Sequence, residues 1–582
     1  MSNSIINNFL SFIKRNITKI LSFYLLFVLL LIVFVLKQGD DIMFHMERMD
    51  AIMQEFSNLG IKAFPIRIYH SVGNGYGYAS PLFYCDIFFW PFAIVASVFK
   101  LQTIVAYKMM LCVILLVSCL LAKYAFALIF DEVDTNLVLF LYMFSVTIFL
   151  NSTGSWVGRF FATMFVPLSI CSFYCLINKD DNTLKHVILL SVGVMGTLYS
   201  NVIDAAIVVV TLLIMFLFSI KKLNIKKLLF ICLAAILCIM MSLWFLAPMI
   251  EQMNSQVFFV TSGVVDDGLK NIGDWTVPLL GVFFPREITR FLANKLDING
   301  IAEGYFEGML FYIVMFIFII KYRKEISKNV KNMNDKEFIL SVILILILYI
   351  LFQTKLFPHN LLSNLIGVIQ FPWRVNIVLT VCGAILTVMV FKRINKDNII
   401  YTMLLLSMAL TMLTFISSYG FDIVRAIKHG NKFADYSYNS YNIGTGEYLP
   451  IELYKNNNVY AWGSYLDSRG NDVLSENDYY VKFVKDFDSI TVETNGSNDR
   501  LELPLIYYYG YSAIDEETGK QLPISKSSDG LVKIETKDSS SIYVSYSGTP
   551  IQKYSNYISL VSSISVLFIY ICITKKKKSF NK

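Results

Sequence analysis

Long apolar runs alternate with polar connections from one end of the chain to the other. Twelve of them, at about 20–36, 106–129, 135–150, 160–177, 186–200, 202–219, 228–249, 308–320, 338–352, 375–391, 399–417 and 556–574, predict membrane-crossing helices. A thirteenth, 82–99, follows Pro81, contains Asp86 and Pro91 and is rich in aromatic residues, which suits a helix lying along the membrane surface. Basic residues decide between the two counts. They cluster at Lys14, Arg15 and Lys19, at Lys221, Lys222, Lys226 and Lys227, from Lys321 to Lys336, at Lys392, Arg393 and Lys396, and from Lys575 to Lys578. Twelve crossings put all five clusters and both termini in the cytoplasm, where loops carry an excess of Lys and Arg. Thirteen crossings would turn either the basic N-terminus or the later clusters outward. No small-residue cleavage site follows the first run before Lys37–Asp41, so it is expected to stay as an anchor.

This topology places three large polar segments on the extracytoplasmic side, about 38–103, 251–307 and 418–555. The last is rich in Asn, Ser, Asp and Tyr. Its alternating stretches Ser489–Glu493, Leu531–Glu535 and Ser541–Tyr546 are separated by Asn-Gly, Thr-Gly and Asp-Gly turns, which predicts a small β-rich domain. The expected architecture is an α-helical polytopic membrane protein in three parts. A transmembrane domain over 1–417 carries large outer loops at 38–103 and 251–307, and the β-rich domain covers 418–555. A last transmembrane helix and a cytoplasmic Lys-rich tail fill 556–582.

Composition narrows the functional classes. With 56% hydrophobic and 16% charged residues the chain is too apolar for a soluble protein. The net charge of +7 sits beside the apolar runs, where it orients helices, and does not argue for nucleic-acid binding. None of the nine cysteines lies between Cys382 and Cys572, so the largest polar segment has no disulfide framework. A phosphate-binding Gly-rich loop, a Gly-x-Ser-x-Gly motif and a Cys-x-x-Cys pair are all missing from the sequence.

Candidate chemistry concentrates in the polar segments. Asp40 and Asp41 leave the first apolar run with His45, Glu47 and Arg48 close behind. Paired carboxylates at the water interface can take a proton from a hydroxyl, or hold a divalent cation (Mg or Mn) beside a phosphate; charged residues also simply mark the end of a span. The following stretch, with Arg67, His70, Tyr76, Tyr78 and several glycines up to Tyr84, has no helical periodicity and reads as a segment that shapes a site. Arg374, preceded by Pro372 and Trp373 at the end of a span, can present a fork of donors to a phosphate at head-group depth, or snorkel to the interface beside an aromatic belt. Further candidates for substrate contact are Arg159, Glu303, Glu307 and His359, with Pro285-Arg286-Glu287 and Arg290 upstream. Asp204 stands near a span's end, where it either faces a wet cavity or belongs to a helix start capped by Ser200 or Asn201.

The Gly-Asp-Asp run with its His and Arg, the run from Asn74 to Tyr84, Phe371-Pro372-Trp373-Arg374, Glu447-Tyr448-Leu449-Pro450 and Tyr507-Tyr508-Tyr509-Gly510-Tyr511 occur in an order that resembles one family. The chain is similar to GT-C superfamily polytopic glycosyltransferases, and within them to bacterial YfhO-type proteins and the 6-pyruvoyl-tetrahydropterin-synthase-related membrane proteins. The second name carries no pterin chemistry. The resemblance implies a sugar donor on a polyprenyl phosphate, a cell-envelope glycan, teichoic acid-type polymer or lipid as acceptor, Asp40 or Asp41 as base or metal-holding carboxylate, and Arg374 on the lipid phosphate. The chain departs from the pattern at Arg159, which has no nearby Glu, and at Asp204, where the resemblance leads one to expect a histidine.

Two other classes stay open at this stage. A lipid or polysaccharide transporter or flippase also fits twelve crossings, although carriers place polar groups at mid-membrane and not in outer loops. A non-catalytic glycan-binding protein fits the β-rich domain, although twelve crossings exceed what anchoring requires.

Overall fold

The computed structural model describes residues 2–36, 41–153, 157–181, 183–262, 272–276, 310–330, 335–429, 446–454, 461–477, 481–494 and 499–580. Helix α1 covers Ser2–Val35 and α2 Ile42–Leu59. An irregular stretch leads to α3, Trp90–Val98, and then to α4, Thr103–Phe126. Next come α5, Glu132–Met143, α6, Val146–Ser152, α7, Val157–Ala162, and α8, Val166–Asn178. Helices α9, Thr183–Ser200, α10, Val202–Phe218, and α11, Ile225–Ser255, complete the first part of the bundle. Later helices are Leu310–Lys321, Lys336–Phe352, Asn376–Arg393, Asp397–His429 and Pro550–Phe580.

Among the described residues eight helices are long and apolar enough to cross a membrane: Arg15–Val35, Thr103–Phe126, Val157–Asn178, Thr183–Ser200, Ile225–Ser255, Pro372–Arg393, Asp397–Ser417 and Pro550–Lys575. The other four apolar runs are helical but short or broken. Helices α5 and α6 meet at a 61° bend. Ser145 makes the break, because its Oγ accepts from Ile148 N at 3.2 Å and so starts a new helix. The freed Phe144 carbonyl is taken by Ser407 Oγ at 2.9 Å and by Thr411 Oγ1, as backbone in an apolar medium requires. Helix α10 and the 310–321 and 336–352 helices have 17, 12 and 17 residues. At 1.5 Å per residue they reach less far than the roughly 30 Å of a hydrocarbon core. Helix α3, in the ambiguous 82–99 stretch, has only 9 residues.

Burial sorts the long helices into centre and rim. Val157–Asn178 and Pro372–Arg393 are each 94% buried, whereas Ile225–Ser255 is 28% and Pro550–Lys575 17% buried, so the first two run through the middle of the bundle. The outer helices present apolar side chains such as Leu229, Ile239, Leu560 and Phe568 outward, as lipid-facing surfaces do.

The C-terminal β domain has two antiparallel sheets. Strands β1 (Leu474–Ser475), β2 (Lys482–Lys485), β3 (Ser489–Glu493), β4 (Arg500–Ile506), β5 (Tyr511–Asp515), β6 (Gln521–Leu522), β7 (Ile524–Lys526), β8 (Leu531–Glu535) and β9 (Ser541–Tyr546) pair as β1-β4-β8-β7 and β2-β3-β9-β5-β6. The three alternating stretches of the sequence are β3, β8 and β9. Their inward residues Ile490, Val492, Val532, Ile534, Ile542 and Val544 are fully buried and meet Leu501 and Leu503 of β4, following the two-residue period of a strand. The segment from 418 that was expected to open this domain instead begins as helix, which continues to His429.

The domain is seated on the helices by hydrogen bonds. Ile506 N donates to Tyr76 O at 2.9 Å, Tyr508 Oη to Tyr448 O at 3.1 Å and Gln256 Nε2 to Tyr507 O at 3.0 Å. Tyr509 N donates to Gln252 Oε1 at 3.2 Å, and Thr549 Oγ1 to Glu251 Oε2 at 2.6 Å. The C-terminal end of α11, the 446–454 stretch and the 64–84 stretch thus hold the β domain at one end of the bundle.

Candidate functional site

At this end of the bundle, the 64–84 stretch folds back on itself. Tyr69 and Tyr78 exchange backbone hydrogen bonds of 2.9 and 3.1 Å. The turn between them puts Gly73, Gly75 and Gly77 at φ of 66°, 80° and 85°, a region side chains disfavour. Its tyrosines are structural: Tyr69, Tyr76 and Tyr78 are at most 1% exposed. Tyr76 Oη donates to Gly470 O, and the Tyr78 hydroxyl accepts from Tyr448 N at 3.3 Å. Arg67 donates to Trp244 O at 2.9 Å and to Asn556 Oδ1 at 2.7 Å, tying the stretch to α11 and to the last helix.

Arg48 is the strut of the same region. It donates to the carbonyls of Tyr84 at 3.2 Å and Cys85 at 2.8 Å, and lies 4.3 and 4.6 Å from the ring centroids of Tyr84 and Phe89. Its Nη1 lies 3.3 Å from His45 Nδ1, which must accept, since guanidinium nitrogens only donate. Burial first, and the Arg48 charge second, hold the His45 imidazole well below its usual pKa. Asp86 accepts from Tyr69 Oη at 2.9 Å and Trp90 Nε1 at 2.8 Å, and burial pushes its carboxyl up to about 6.

Tyr84, fixed by this network, leans on α7. A β-carbon at Gly158 would lie 2.0 Å from the Tyr84 hydroxyl, so only glycine admits that approach. The next residue is Arg159, near the start of the first central helix, 6% exposed and donating to the Trp373 carbonyl. Arg374 lies near the start of the second. Its Nη2 donates to Gln370 Oε1 at 2.9 Å, its guanidinium is 5.5 Å from the Phe371 ring, and its buried Nη1 has no hydrogen-bond partner.

Asp204 completes the group from the first turn of α10. Asn201 caps that helix, its Oδ1 accepting from Ile203 N at 2.9 Å and Asp204 N at 3.3 Å. The Asp204 side chain is therefore not used as a cap. It is fully buried, neither of its carboxylate oxygens has a hydrogen-bond partner, and the charges that act on it are those of Arg159 and Arg374. Arg374 feels Asp204, Arg159, Tyr84 and Asp41. Tyr448 stacks on Phe83 at 4.6 Å and feels Tyr84, Arg48 and Arg374. Four of the runs singled out in the sequence, around Asp41, Tyr84, Arg374 and Tyr448, therefore converge.

The candidates separate accordingly. Asp41, Arg159 and Arg374 come together with Asp204 and Tyr84, and Asp41 is exposed at the first residue before α2. His45, Arg48, Arg67, Tyr76 and Tyr78, expected as possible substrate contacts, are buried in contacts that hold the fold. His359 is likewise committed, its Nε2 donating to Phe352 O at 2.8 Å. Asp40, Glu303, Glu307 and the 285–290 candidates lie outside the described residues. Two asparagines escaped notice. Asn151, on α6, and Asn376, two residues beyond Arg374, are buried with side-chain amide atoms that have no partner. An amide in an apolar run, two residues from the arginine, was the available signal for Asn376.

Among the described residues no three His, Cys, Asp or Glu side chains gather where an ion can sit, and Asp40, one of the two carboxylates expected to hold a divalent cation, lies outside them.

No protein-family model and no solved structure matches the chain. A stretch of 174 residues is 29% identical to an uncharacterized protein of Lactococcus lactis subsp. cremoris (strain MG1363), covering 25% of this chain and 28% of that relative. The chain thus spans little more than a quarter of that relative's length.

Proposed function

We propose that this protein is a membrane-embedded glycosyltransferase that moves a sugar from a polyprenyl-phosphate donor to a cell-envelope acceptor. The observation that carries the reading is that Arg374 Nη1, near the start of the second central helix, and both Asp204 oxygens, in the first turn of α10, are buried without a hydrogen-bond partner while Asp204 and Arg159 act on the Arg374 guanidinium. A buried donor without a partner costs about 1–3 kcal/mol, more when charged, and such groups persist where a ligand satisfies them. A phosphate at head-group depth would accept from the Arg374 fork. As the bond between the sugar's anomeric carbon and the phosphate oxygen breaks, the phosphate gains negative charge, which a guanidinium already in place stabilises more in the transition state than in the bound donor. The acceptor hydroxyl forms the new bond to that carbon and gives its proton to a carboxylate; Asp41, exposed beside the cluster, serves as that base, and Asp40 is its neighbour in sequence.

In this reading the chain crosses the membrane twelve times with both termini cytoplasmic, so that the cluster and the β domain face outward, where nucleotide sugars are absent and a lipid must carry the donor. Cysteine introduced near Asn74 or Asn495 is then expected to react with impermeant reagent on intact cells and cysteine near Asn329 is not; labelling at Asn329 from outside would reverse the orientation. Function is tested with membranes from cells that have or lack the protein, supplied with labelled prenyl-phosphate sugars. Label should pass from lipid to envelope polymer only with the protein, and Arg374→Ala should remove nearly all transfer at normal abundance. Unchanged glycans and unconsumed donors in both membranes would refute the reading.

A second reading, a lipid or polysaccharide transporter, draws on the break between α5 and α6, beside which Ser145, Thr147, Tyr312, Thr380 and Ser407 line a small cavity of about 20 Å³. The carbonyl freed at that break is already taken by Ser407 and Thr411, which leaves it no acceptor to offer a cargo.

A further inference from the structure

We propose that Asp204 is a resident counter-ion that sets the charge of the phosphate site formed by Arg159 and Arg374, and through it selects a phosphodiester over a phosphomonoester. The inference rests on the transferase reading, because it presumes a prenyl phosphate as ligand. Its basis is a separate set of observations. Two arginines approach from the starts of the two central helices, and Arg159, 6% exposed, is anchored through one nitrogen to the Trp373 carbonyl. Two guanidiniums enclosed together repel each other, and the cost rises as water is excluded. Helix α10 packs against the Pro372–Val375 turn that carries Arg374, and its Asp204 is the carboxylate on which both arginines act, yet it makes no hydrogen bond to either, and the cap of its helix is supplied by Asn201. A carboxylate kept at 0% exposure in the first turn gives the helix end no hydrogen bond and acts on it only through the helix dipole. Its remaining service is electrostatic.

The charge count has a consequence for ligand choice. The buried groups, two guanidiniums and one carboxylate, sum to one positive charge, the exposed Asp41 being screened by water. A prenyl phosphate bearing a sugar is a diester with one negative charge, and binding it leaves the cluster neutral. Once the sugar has left, the carrier is a monoester with a charge of about −2 at neutral pH and above, which leaves the buried cluster one charge in excess. The site therefore holds the loaded carrier and lets go of the spent one. Asp204 acts on the ligand through the arginines and by repulsion, so it is a positioning residue, while Arg159 is a second donor to the phosphate beside Arg374.

The test uses the full-length protein in lipid nanodiscs at pH 8 and two probes, a short-chain prenyl monophosphate and the methyl diester of the same prenyl phosphate, with direct binding as the readout. Wild type should bind the diester more tightly. Asp204→Asn, which raises the charge sum to two, should tighten the monophosphate at least tenfold more than the diester and so reverse the preference. Arg159→Gln should weaken both probes tenfold or more, and Arg159→Lys should recover part of the loss, which separates charge from a general defect in folding. An Asp204→Asn protein that shifts both probes equally or weakens both, or an Arg159→Gln protein that binds like wild type, overturns the inference alone. Wild-type protein that binds neither probe removes the lipid-phosphate reading and this inference with it.

Discussion

Replacing Arg48 by methionine distinguishes a strut from a substrate-binding residue, the role its place in the sequence suggested. Methionine keeps most of the length and apolar stem but has no donor. The guanidinium is 2% exposed and satisfies two carbonyls, Tyr84 O at 3.2 Å and Cys85 O at 2.8 Å. A hydrogen bond from a charged donor contributes about 1.5–3 kcal/mol, and leaving a buried carbonyl unpaired costs a similar amount. The contacts with the Tyr84 and Phe89 rings, at 4.3 and 4.6 Å, add about 1–2 kcal/mol. Against this, methionine no longer requires a cation to be stripped of water, an offset of several kcal/mol. The net loss expected is about 3–5 kcal/mol, the range for removing one partner of a buried charged network. Thermal unfolding in detergent, followed by size-exclusion chromatography of heated aliquots, should show a melting temperature lower by several degrees. Prenyl monophosphate binding, measured well below that temperature, should fall by less than a factor of three. A variant that melts like wild type but has lost phosphate binding would refute the strut argument and return Arg48 to the ligand.

His45 is neutral in the fold because burial and Arg48 depress its pKa from 6.5, so the unfolded chain binds more protons below that pH and the stability of wild type over His45→Gln should shrink by about 1.4 kcal/mol per pH unit as pH falls below 6.5. Asp86, raised to about 6, has the opposite sign below that value and is common to both proteins, so the difference isolates His45; a pH-independent difference contradicts the assignment. Gly193→Ala would put a β-carbon 2.6 Å from Ser169 Oγ and 2.8 Å from Ser169 N, forcing α9 off α8 at a cost of about 1–3 kcal/mol, read as a lower fraction surviving heat; survival equal to wild type counts against the close approach. Lys485, whose pKa burial and then Arg469 lower to about 8, should show a competitive-labelling midpoint near pH 8, and a midpoint near 10 would place it in water.

What could be read from the sequence depended on whether the deciding interaction was local. The strands β3, β8 and β9 were legible because a half-buried strand writes its period of two into adjacent residues. Apolar runs marked helices for the same reason, but not their breaks. The run at 135–150 is continuous in hydropathy, and it bends because Ser145 caps a new helix and because Ser407 and Thr411, more than 260 positions on, accept the task of bonding the Phe144 carbonyl. Arg48 and Arg67 were placed on substrate because a cation in an aromatic segment looks the same whether its donors meet a ligand or a backbone carbonyl. Arg48 meets carbonyls 36 and 37 residues away and Arg67 one 177 residues away, which no spacing rule reaches. Arg374 has the same kind of aromatic, proline-bearing surroundings as those two and, like Arg48 Nε and Arg67 Nη1, keeps one buried nitrogen without a partner; what sets it apart is that the carboxylate acting on it, Asp204, makes no hydrogen bond either. Asp204 makes the contrast sharpest. At a helix start its first explanation is capping, and Asn201 already does that work. A buried carboxylate relieved of the local task, and acted on by two arginines from distant parts of the chain, is more informative than any single motif, because the fold maintains it at a cost that no hydrogen bond within the described structure repays.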